Sequence, residues 1–592
     1  LSIAWETDAL LANLRASALI LFTLFLSVTP RADELPLEVP QLELPHAEAT
    51  PLPVVAAHGM VATQERHATK VGIAILRRGG NAVDAAVAVA LTLAVTLPKA
   101  GNLGGGGFML IHIAQPGRDV AIDYRETATR ETTREVFLDD QGEAVAAKSR
   151  DTGLGVGVPG TVAGLVHALA AYGSGKFSLA ELAAPAIALA RDGFAVDDDL
   201  ALSLPLAAPR LARWPASAKI FLHDGTTPLV RGEKLVQSDL ADGLEQIARE
   251  GEKAFYEGAI AAKIVAAVQQ AGGHMTLADL AAYKVRERVP LRGIYRGHEI
   301  VAMPPPSSGG IHILEILNIL EGFPLEELGS RSPQTLHLMA EAMKLAYADR
   351  AEYLGDPDFV PVPVTGLISK AYAAHLRAEI DADRARPAAA IKAQDPQPYE
   401  SDQTTHFSIV DADGNAVANT YTLNFSYGLG LVAEGTGILL NNELDDFAAK
   451  PGTPNAFGLL GGAANEPGPQ RRPLSSMAPT MVFHDGELEL VTGSPGGPRI
   501  ITIVLQIILD VLDFDMNIAA ATAAPRIHDQ WMPDQLQVEP GLPHETIEDL
   551  ENRGHKVVER PPWGSAQSIA RHDGLLFGAA DQRQKGTSAE GY

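Results

Sequence analysis

Between residues 382 and 405 the hydrophobic pattern of the chain changes period, and that change limits the folds open to it. Upstream, apolar residues recur at helical spacing in Thr161 to Ala171, Leu179 to Ala190, Leu240 to Ala248 and Thr335 to Ala348. Ala82 to Leu97 is small and apolar on nearly every side, interrupted by Asp84, which predicts a helix buried on most of its surface. Pro98 and Lys99 end it too early for a membrane span. Ala382 to Gln403 is polar and proline-containing and reads as a mobile loop. Beyond it the period is two. Thr405 to Val410 alternates, Asp413-Gly414 signals a hairpin, and Ala416 to Leu423 returns. Asp485-Gly486 sits between Thr480 to Phe483 and Leu488 to Thr492, and Asp573-Gly574 gives a third hairpin signal. Ile500 to Leu512 is apolar and long enough for a helix. Helices, then clustered antiparallel strands, then helices predict an α+β chain whose sheets pack face to face with helices outside.

Composition narrows the function. A net charge of −26 argues against nucleic acid and against an anionic membrane surface as partners. The absence of cysteine excludes disulfides, thiolate metal sites and a cysteine nucleophile. Ala16 to Val28, preceded by Arg15, has the length of a signal-peptide core, with Pro30-Arg31-Ala32 as the cleavage neighbourhood. Residues 1–32 are therefore expected to direct export to the periplasm or beyond, or to anchor the chain if retained. A buried helix stays open as the other reading. Residues 33–53, rich in Pro and Glu, read as a linker.

Familiar motifs are poor guides here. Gly155-Val156-Gly157-Val158-Pro159-Gly160 fits a dinucleotide fingerprint, but no strand leads into it, and Pro159-Gly160-Thr161 suits a helix start better. Neither a nucleophile elbow nor an H-E-x-x-H motif occurs, and the 17 histidines are scattered. No metal or cofactor is expected, and His406 reads as a packing residue.

The informative region starts at Gln403-Thr404-Thr405-His406. A threonine at a loop-to-strand junction is ordinary, but unusual company follows it. Thr422 and Asn424 lie on the returning strand. Asn441, Asn442, Glu443, Asp445 and Asp446 form a polar cluster; Arg471, Arg472, Ser475 and Ser476 come next, then Gly493-Ser494-Pro495-Gly496-Gly497. Carboxylates can hold an ammonium, hydroxyls and an arginine can hold a carboxylate, and a Gly-Gly turn can offer backbone N–H groups to an oxyanion.

These stretches (TTHFSIVDADGNAVANTYTLN, GILLNNELDDFAAKPGTPNAFGL, RRPLSSMAPT, TGSPGGPRIIT), with RRGGNAVDAAVAVALTLAV, GNLGGGGFML, DYRETA, VGVPGTVAGL and PPPSSGGIHILEILNIL upstream, resemble the γ-glutamyltranspeptidase family from about Val54 to Tyr592. The resemblance implies a four-layer αββα sandwich of the N-terminal nucleophile hydrolase type. It implies a precursor that cuts itself between Gln403 and Thr404 into a large subunit, 54–403, and a small subunit, 404–592, that stay together. Thr404 is then the nucleophile and its new α-amino group the base. Thr422 bonds the nucleophile, and Gly496 and Gly497 form the oxyanion hole. Arg125 with Ser475 and Ser476 binds the substrate α-carboxylate; Asn424, Glu443 and Asp446 bind its α-amino group. The implied partners are glutathione and other γ-glutamyl compounds as donors, and water, amino acids or dipeptides as acceptors.

Glu443 stands where some relatives carry Gln. Phe457, in a lid-like stretch from Pro451 to Pro467, stands where a tyrosine is common. Taken singly the site residues have plainer readings: Arg125 as a surface ion pair, Ser475-Ser476 as a turn, Gly496-Gly497 as a helix start. Three other functions stay open: a cephalosporin (glutaryl) acylase, a γ-polyglutamate-processing relative, and an exported binding protein without catalysis.

Overall fold

The computed structural model describes residues 50–393, 405–453, 460 and 462–592. The targeting segment, most of the linker, Gln403, Thr404 and Phe457 lie outside the described residues. Two seven-stranded antiparallel sheets make the framework. The first runs in the order Ser588–Gly591, Met60–Thr63, Thr405–Val410, Ala416–Thr422, Gly106–Ile113, Arg118–Asp123, Arg286–Arg288. The second runs Val54–Ala56, Leu575–Ala580, Gln567–His572, Glu487–Thr492, Thr480–His484, His298–Ala302, Leu291–Tyr295.

The period-two pattern sorts the first sheet's residues into two cores. Val61, Met109, Ile111, Phe407, Ile409 and Val417 pack with helices Arg66–Arg77, Ala82–Thr96 and Leu179–Asp192. Their neighbours Met60, Ala62, Phe108, Leu110, Val410 and Ala418 face the second sheet, in a core continuous with helices Gly309–Leu320, Pro333–Tyr353 and Arg499–Leu512. Helices, sheet, sheet, helices is the four-layer αββα arrangement.

The helix Ala82–Thr96 is buried at every position. Asp84, which looks like an interruption in the sequence, is its N-terminal lock: Asn81 Oδ1 accepts from the Asp84 amide, and Asp84 Oδ2 accepts from the Asn81 amide, both at 2.9 Å. Among the described residues, no helix is long and apolar enough to cross a membrane.

The hairpin signals fold as their residues require. Asp485 and Gly486 have φ of 49° and 82°, and Asp573 and Gly574 have 49° and 77°, the left-handed pairs that two-residue hairpins need. Gly160 caps the helix Thr161–Tyr172, and the Gly157 amide donates to Asn441 Oδ1 at 2.9 Å. The glycines of that motif thus serve packing.

Strands from either side of residue 404 are interleaved in the first sheet. Thr405–Val410 pairs with Met60–Thr63, and Ala416–Thr422 pairs with Gly106–Ile113. The glycine run before Phe108 makes that second pairing close. A Cβ at Gly105 would stand 2.0 Å from Thr422 O, and one at Gly107 2.4 Å from Thr420 O.

Between the sheets lies His406. Its Nδ1 meets Thr420 Oγ1 at 2.8 Å and its Nε2 meets Ser408 Oγ at 3.1 Å. Burial lowers its pKa to about 3, so the ring is neutral. Gly493 packs against it so closely that a Cβ would lie 2.3 Å from the ring. Gly493→Ala is therefore expected to cost about 1–3 kcal/mol by overpacking, read as a lower urea midpoint at an unchanged m value.

Candidate active site

The strand Arg118–Asp123 delivers Arg125 into the interior, where its side chain has no exposed surface. Asp123 fixes the turn: its Oδ1 accepts from the Arg125 amide at 3.0 Å, and its Oδ2 accepts from Arg288 Nε at 2.8 Å. Arg472 holds the other side, donating from NH1 to Arg125 O at 2.6 Å. The guanidinium then reaches Glu443 through NH1 and Asp446 through NH2, in close ion pairs. Its Nε donates to Pro473 O at 3.1 Å and NH2 to Leu474 O at 3.0 Å. The sequence reading separates an anion-binding arginine from ammonium-binding carboxylates; in this structure they bind each other. The reading of Arg125 as a surface ion pair is excluded by its burial.

A third carboxyl stands beside this pair of contacts. Glu126 Oε2 is 3.8 Å from Arg125 NH1, and both Glu126 oxygens are buried without a hydrogen-bond partner. Burial pushes the Asp446 carboxyl well above the usual carboxylate range even though the Arg125 charge opposes it. Glu443 is raised by burial against the same opposition. Glu126 is raised well above by burial and by the Glu443 charge. Three carboxyls share one guanidinium.

Asn424 joins the cluster in a left-handed conformation, φ 73°. Its amide donates to Thr422 Oγ1 at 2.8 Å, and its Nδ2 donates to Asn442 O at 2.9 Å. Asn424 Oδ1, Glu443 Oε2 and Asp446 Oδ1 are each buried without a donor, and the Glu443 and Asp446 carboxyls lie within hydrogen-bonding reach of each other. Asn441, beside them in sequence, staples the cluster to the first sheet: its Oδ1 accepts from the Glu443 amide at 3.0 Å, and its Nδ2 donates to Gly104 O at 2.8 Å. Asp445 turns away to Ser149 and Arg150.

Ser475 and Ser476 follow directly on the two carbonyls that Arg125 binds. The Ser475 amide donates to Pro306 O at 2.8 Å, so the serine pair is part of a bridge to Ser307, not a loose turn. Gly496 and Gly497, at φ 138° and 60°, lead from the strand Glu487–Thr492 into the helix Arg499–Leu512. They are a helix start, and that placement suits an anion-binding role as well, because helix N-termini present unpaired N–H groups. Among the described residues, neither glycine amide finds an acceptor. Thr404 and Gln403 lie outside the described residues. Thr404 is bonded to Thr405, whose Cα pairs with Tyr421, the residue before Thr422.

Sequence reasoning missed Glu126, although it follows Arg125 in the DYRETA stretch. It also missed Asn102, whose Nδ2 donates to Thr422 O at 2.8 Å and whose Oδ1 accepts from Gly105 N and Thr161 Oγ1. Elsewhere, His337, Glu341 and His555 come together as potential metal ligands. Their donor atoms are already engaged: the two rings meet at 2.8 Å, and Lys344 pairs with Glu341 at 2.5 Å.

The αββα sandwich, two stacked antiparallel sheets between helical layers, is the fold of the N-terminal nucleophile hydrolases. The family profile described as γ-glutamyltranspeptidase matches residues 68–591, and the chain belongs to that family. It is 53% identical over 542 residues to the glutathione hydrolase proenzyme of Escherichia coli (strain K12), covering 91% of this chain and 93% of the relative. The cephalosporin acylase from Bacillus halodurans superposes with a TM-score of 0.80 at 29% identity, over 95% of this chain and 99% of that one. The γ-glutamyltranspeptidase of Helicobacter pylori gives a TM-score of 0.54 at 45% identity, over 55% of this chain and 93% of that one.

Removing Arg125 unbalances the charge of the cluster. Arg125→Ala leaves Glu443 and Asp446 buried without a counter-charge, expected to cost about 3–5 kcal/mol. Arg125→Lys keeps the charge and should retain more of that stability. Denaturant midpoints of the two variants check the order.

Proposed function

We propose that the chain is a self-processing γ-glutamyltransferase and glutathione hydrolase. The observation that carries this reading is a set of three buried oxygens without a donor, on Asn424, Glu443 and Asp446, two of them on the carboxyls that pair with a buried guanidinium. A primary ammonium has three N–H donors. An α-amino acid can therefore seat its ammonium on these oxygens and its carboxylate on Arg125, Ser475 and Ser476. It adds one positive charge where three carboxyls share one guanidinium. Held at both charges, a γ-glutamyl compound has its γ-carbonyl positioned for attack.

Cleavage between Gln403 and Thr404 frees the threonine amine, whose ordinary pKa of about 7.7–8.0 suits a base near neutral pH. Thr404 Oγ attacks the γ-carbonyl, and its proton passes to that amine. The oxyanion is met by the amides of Gly496 and Gly497, and Thr422 orients the nucleophile. The C–N bond breaks, the leaving amine takes the proton, and an ester remains on Thr404. Water releases glutamate; an amino acid or dipeptide amine yields a new γ-glutamyl compound. Residues 404–592 form the small subunit and residues 54–403 the large one, held together by the interleaved first sheet. Export rests on the apolar run from Ala16 to Val28. The acylase reading draws on the Bacillus halodurans likeness, but a glutaryl donor has no ammonium for the three oxygens.

Two outcomes test this. Thr404→Ala should run as a single band on a denaturing gel and show no turnover, where the parent chain gives two bands; two bands from the variant would contradict self-cleavage by Thr404. The second outcome concerns pH. The ionised carboxyls bind the ammonium, and burial has raised the pKa of both Glu443 and Asp446. Affinity is therefore present above those raised values and lost as pH falls through them. KM for γ-glutamyl-p-nitroanilide should climb on the acid side with a midpoint above about 4, the ordinary carboxylate value. Glutaryl-7-aminocephalosporanic acid should lack that limb and turn over more slowly; the reverse ranking would favour the acylase.

A further inference from the structure

The helix Pro333–Tyr353 is buried along almost its whole length and reaches both halves of the site from one turn. Tyr347 and Arg350 are three residues apart and so share a helix face. Arg350, fully buried, donates from NH2 to Ser476 Oγ at 2.7 Å and to Ser308 Oγ at 2.9 Å. Ser308 in turn donates to Ser475 O twice, from its amide at 2.7 Å and its hydroxyl at 2.8 Å. One guanidinium therefore fixes Ser476 directly and Ser475 through Ser308. Since an arginine only donates, Ser476 Oγ is the acceptor in this contact, which leaves its own hydrogen to donate elsewhere.

Tyr347 serves the opposite half. Its hydroxyl donates to Pro498 O at 2.5 Å, one residue beyond Gly497. The ring that carries this hydroxyl is held on several sides. The Arg350 guanidinium lies over it at 5.5 Å, His312 stacks at 6.4 Å with 19° between planes, and His528 meets it edge-on at 5.6 Å and 89°. His528 is itself tied to Thr502 Oγ1 and Gln530 Oε1, both at 3.0 Å. Gly309 lets the next helix approach the serine strand; a Cβ there would stand 2.9 Å from Ser476 O.

We propose that Arg350 and Tyr347 are positioning residues for the two halves of the site, Arg350 for the carboxylate-binding serines and Tyr347 for the oxyanion glycines. This rests on the γ-glutamyltransferase reading and adds a division of labour to it. Serines that bind the substrate carboxylate act in ground state and transition state alike, so loosening them raises KM. Amides that meet the oxyanion act only in the transition state, so loosening them lowers kcat. A merely structural role for the helix would move both parameters together or move thermal stability alone.

The test measures kcat and KM for γ-glutamyl-p-nitroanilide with the parent chain, Arg350→Lys and Tyr347→Phe, each confirmed as two bands on a denaturing gel. Arg350→Lys should raise KM about tenfold with kcat within about twofold, and Tyr347→Phe should lower kcat about fivefold with KM within about twofold. If Arg350→Lys fails to mature, Ser308→Ala removes only the relaying hydroxyl and should raise KM in the same direction. An active parent whose variants change the same parameter, or neither, overturns the inference alone. An inactive parent overturns the functional reading and this inference with it.

Discussion

A guanidinium with no exposed surface, held between Glu443 and Asp446, is the interaction on which the rest of the site depends. Burying a charge is costly unless it is paired and hydrogen-bonded. Arg125 meets that condition through two carboxylates and two backbone carbonyls, and each partner brings its own segment into place. The carbonyls of Pro473 and Leu474 bring the serine pair. Glu443 brings Asn441, Asn442 and, through Asn442, Asn424. The same cluster remains short of positive charge. Under the proposed function, stability and substrate recognition draw on one set of groups, which would couple substitutions there to both.

The second constraint is the interleaving of the first sheet across residue 404. Thr405–Val410 sits between Met60–Thr63 and Ala416–Thr422, with the strand from Gly106 beyond. A backbone cut between Gln403 and Thr404 falls outside these ladders, which begin at Thr405, and would leave both cores in place. A chain that needs a free amino terminus at its nucleophile can therefore be cut without coming apart. The second sheet contributes the glycine loop from the opposite side, with Gly493 packed on the neutral ring of His406 so that the two sheets are held at close range.

Much of the framework is legible in the residues themselves. Asp-Gly pairs at 485–486 and 573–574 specify left-handed hairpin turns whatever surrounds them, and the alternation in THFSIV predicts which side chains face each core. Asp84 was legible in hindsight, since Asn81 three residues before it completes a reciprocal cap. The site is different. Arg125 and Glu443 are 318 positions apart, and no periodicity announces that they will touch. The resemblance to a known family named both residues but gave them separate tasks, and only the packed structure shows them paired. Glu126 and Tyr347 read locally as a strand-end acid and a helix residue, and Arg350 lies two residues beyond the helical pattern read from Thr335 to Ala348, which the fold extends to Tyr353. Their contacts come from what the fold sets against them.

The proposed chemistry turns on Thr404 becoming an N-terminal nucleophile that carries the γ-glutamyl group. The most direct measurement is the intact mass of the short fragment after rapid acid quench from a reaction with γ-glutamyl-p-nitroanilide. The account predicts a fragment that begins at Thr404, together with a second species heavier by one γ-glutamyl group, with the added mass on the N-terminal residue. A fragment with another N-terminus, or a γ-glutamyl adduct on any other residue, would contradict it.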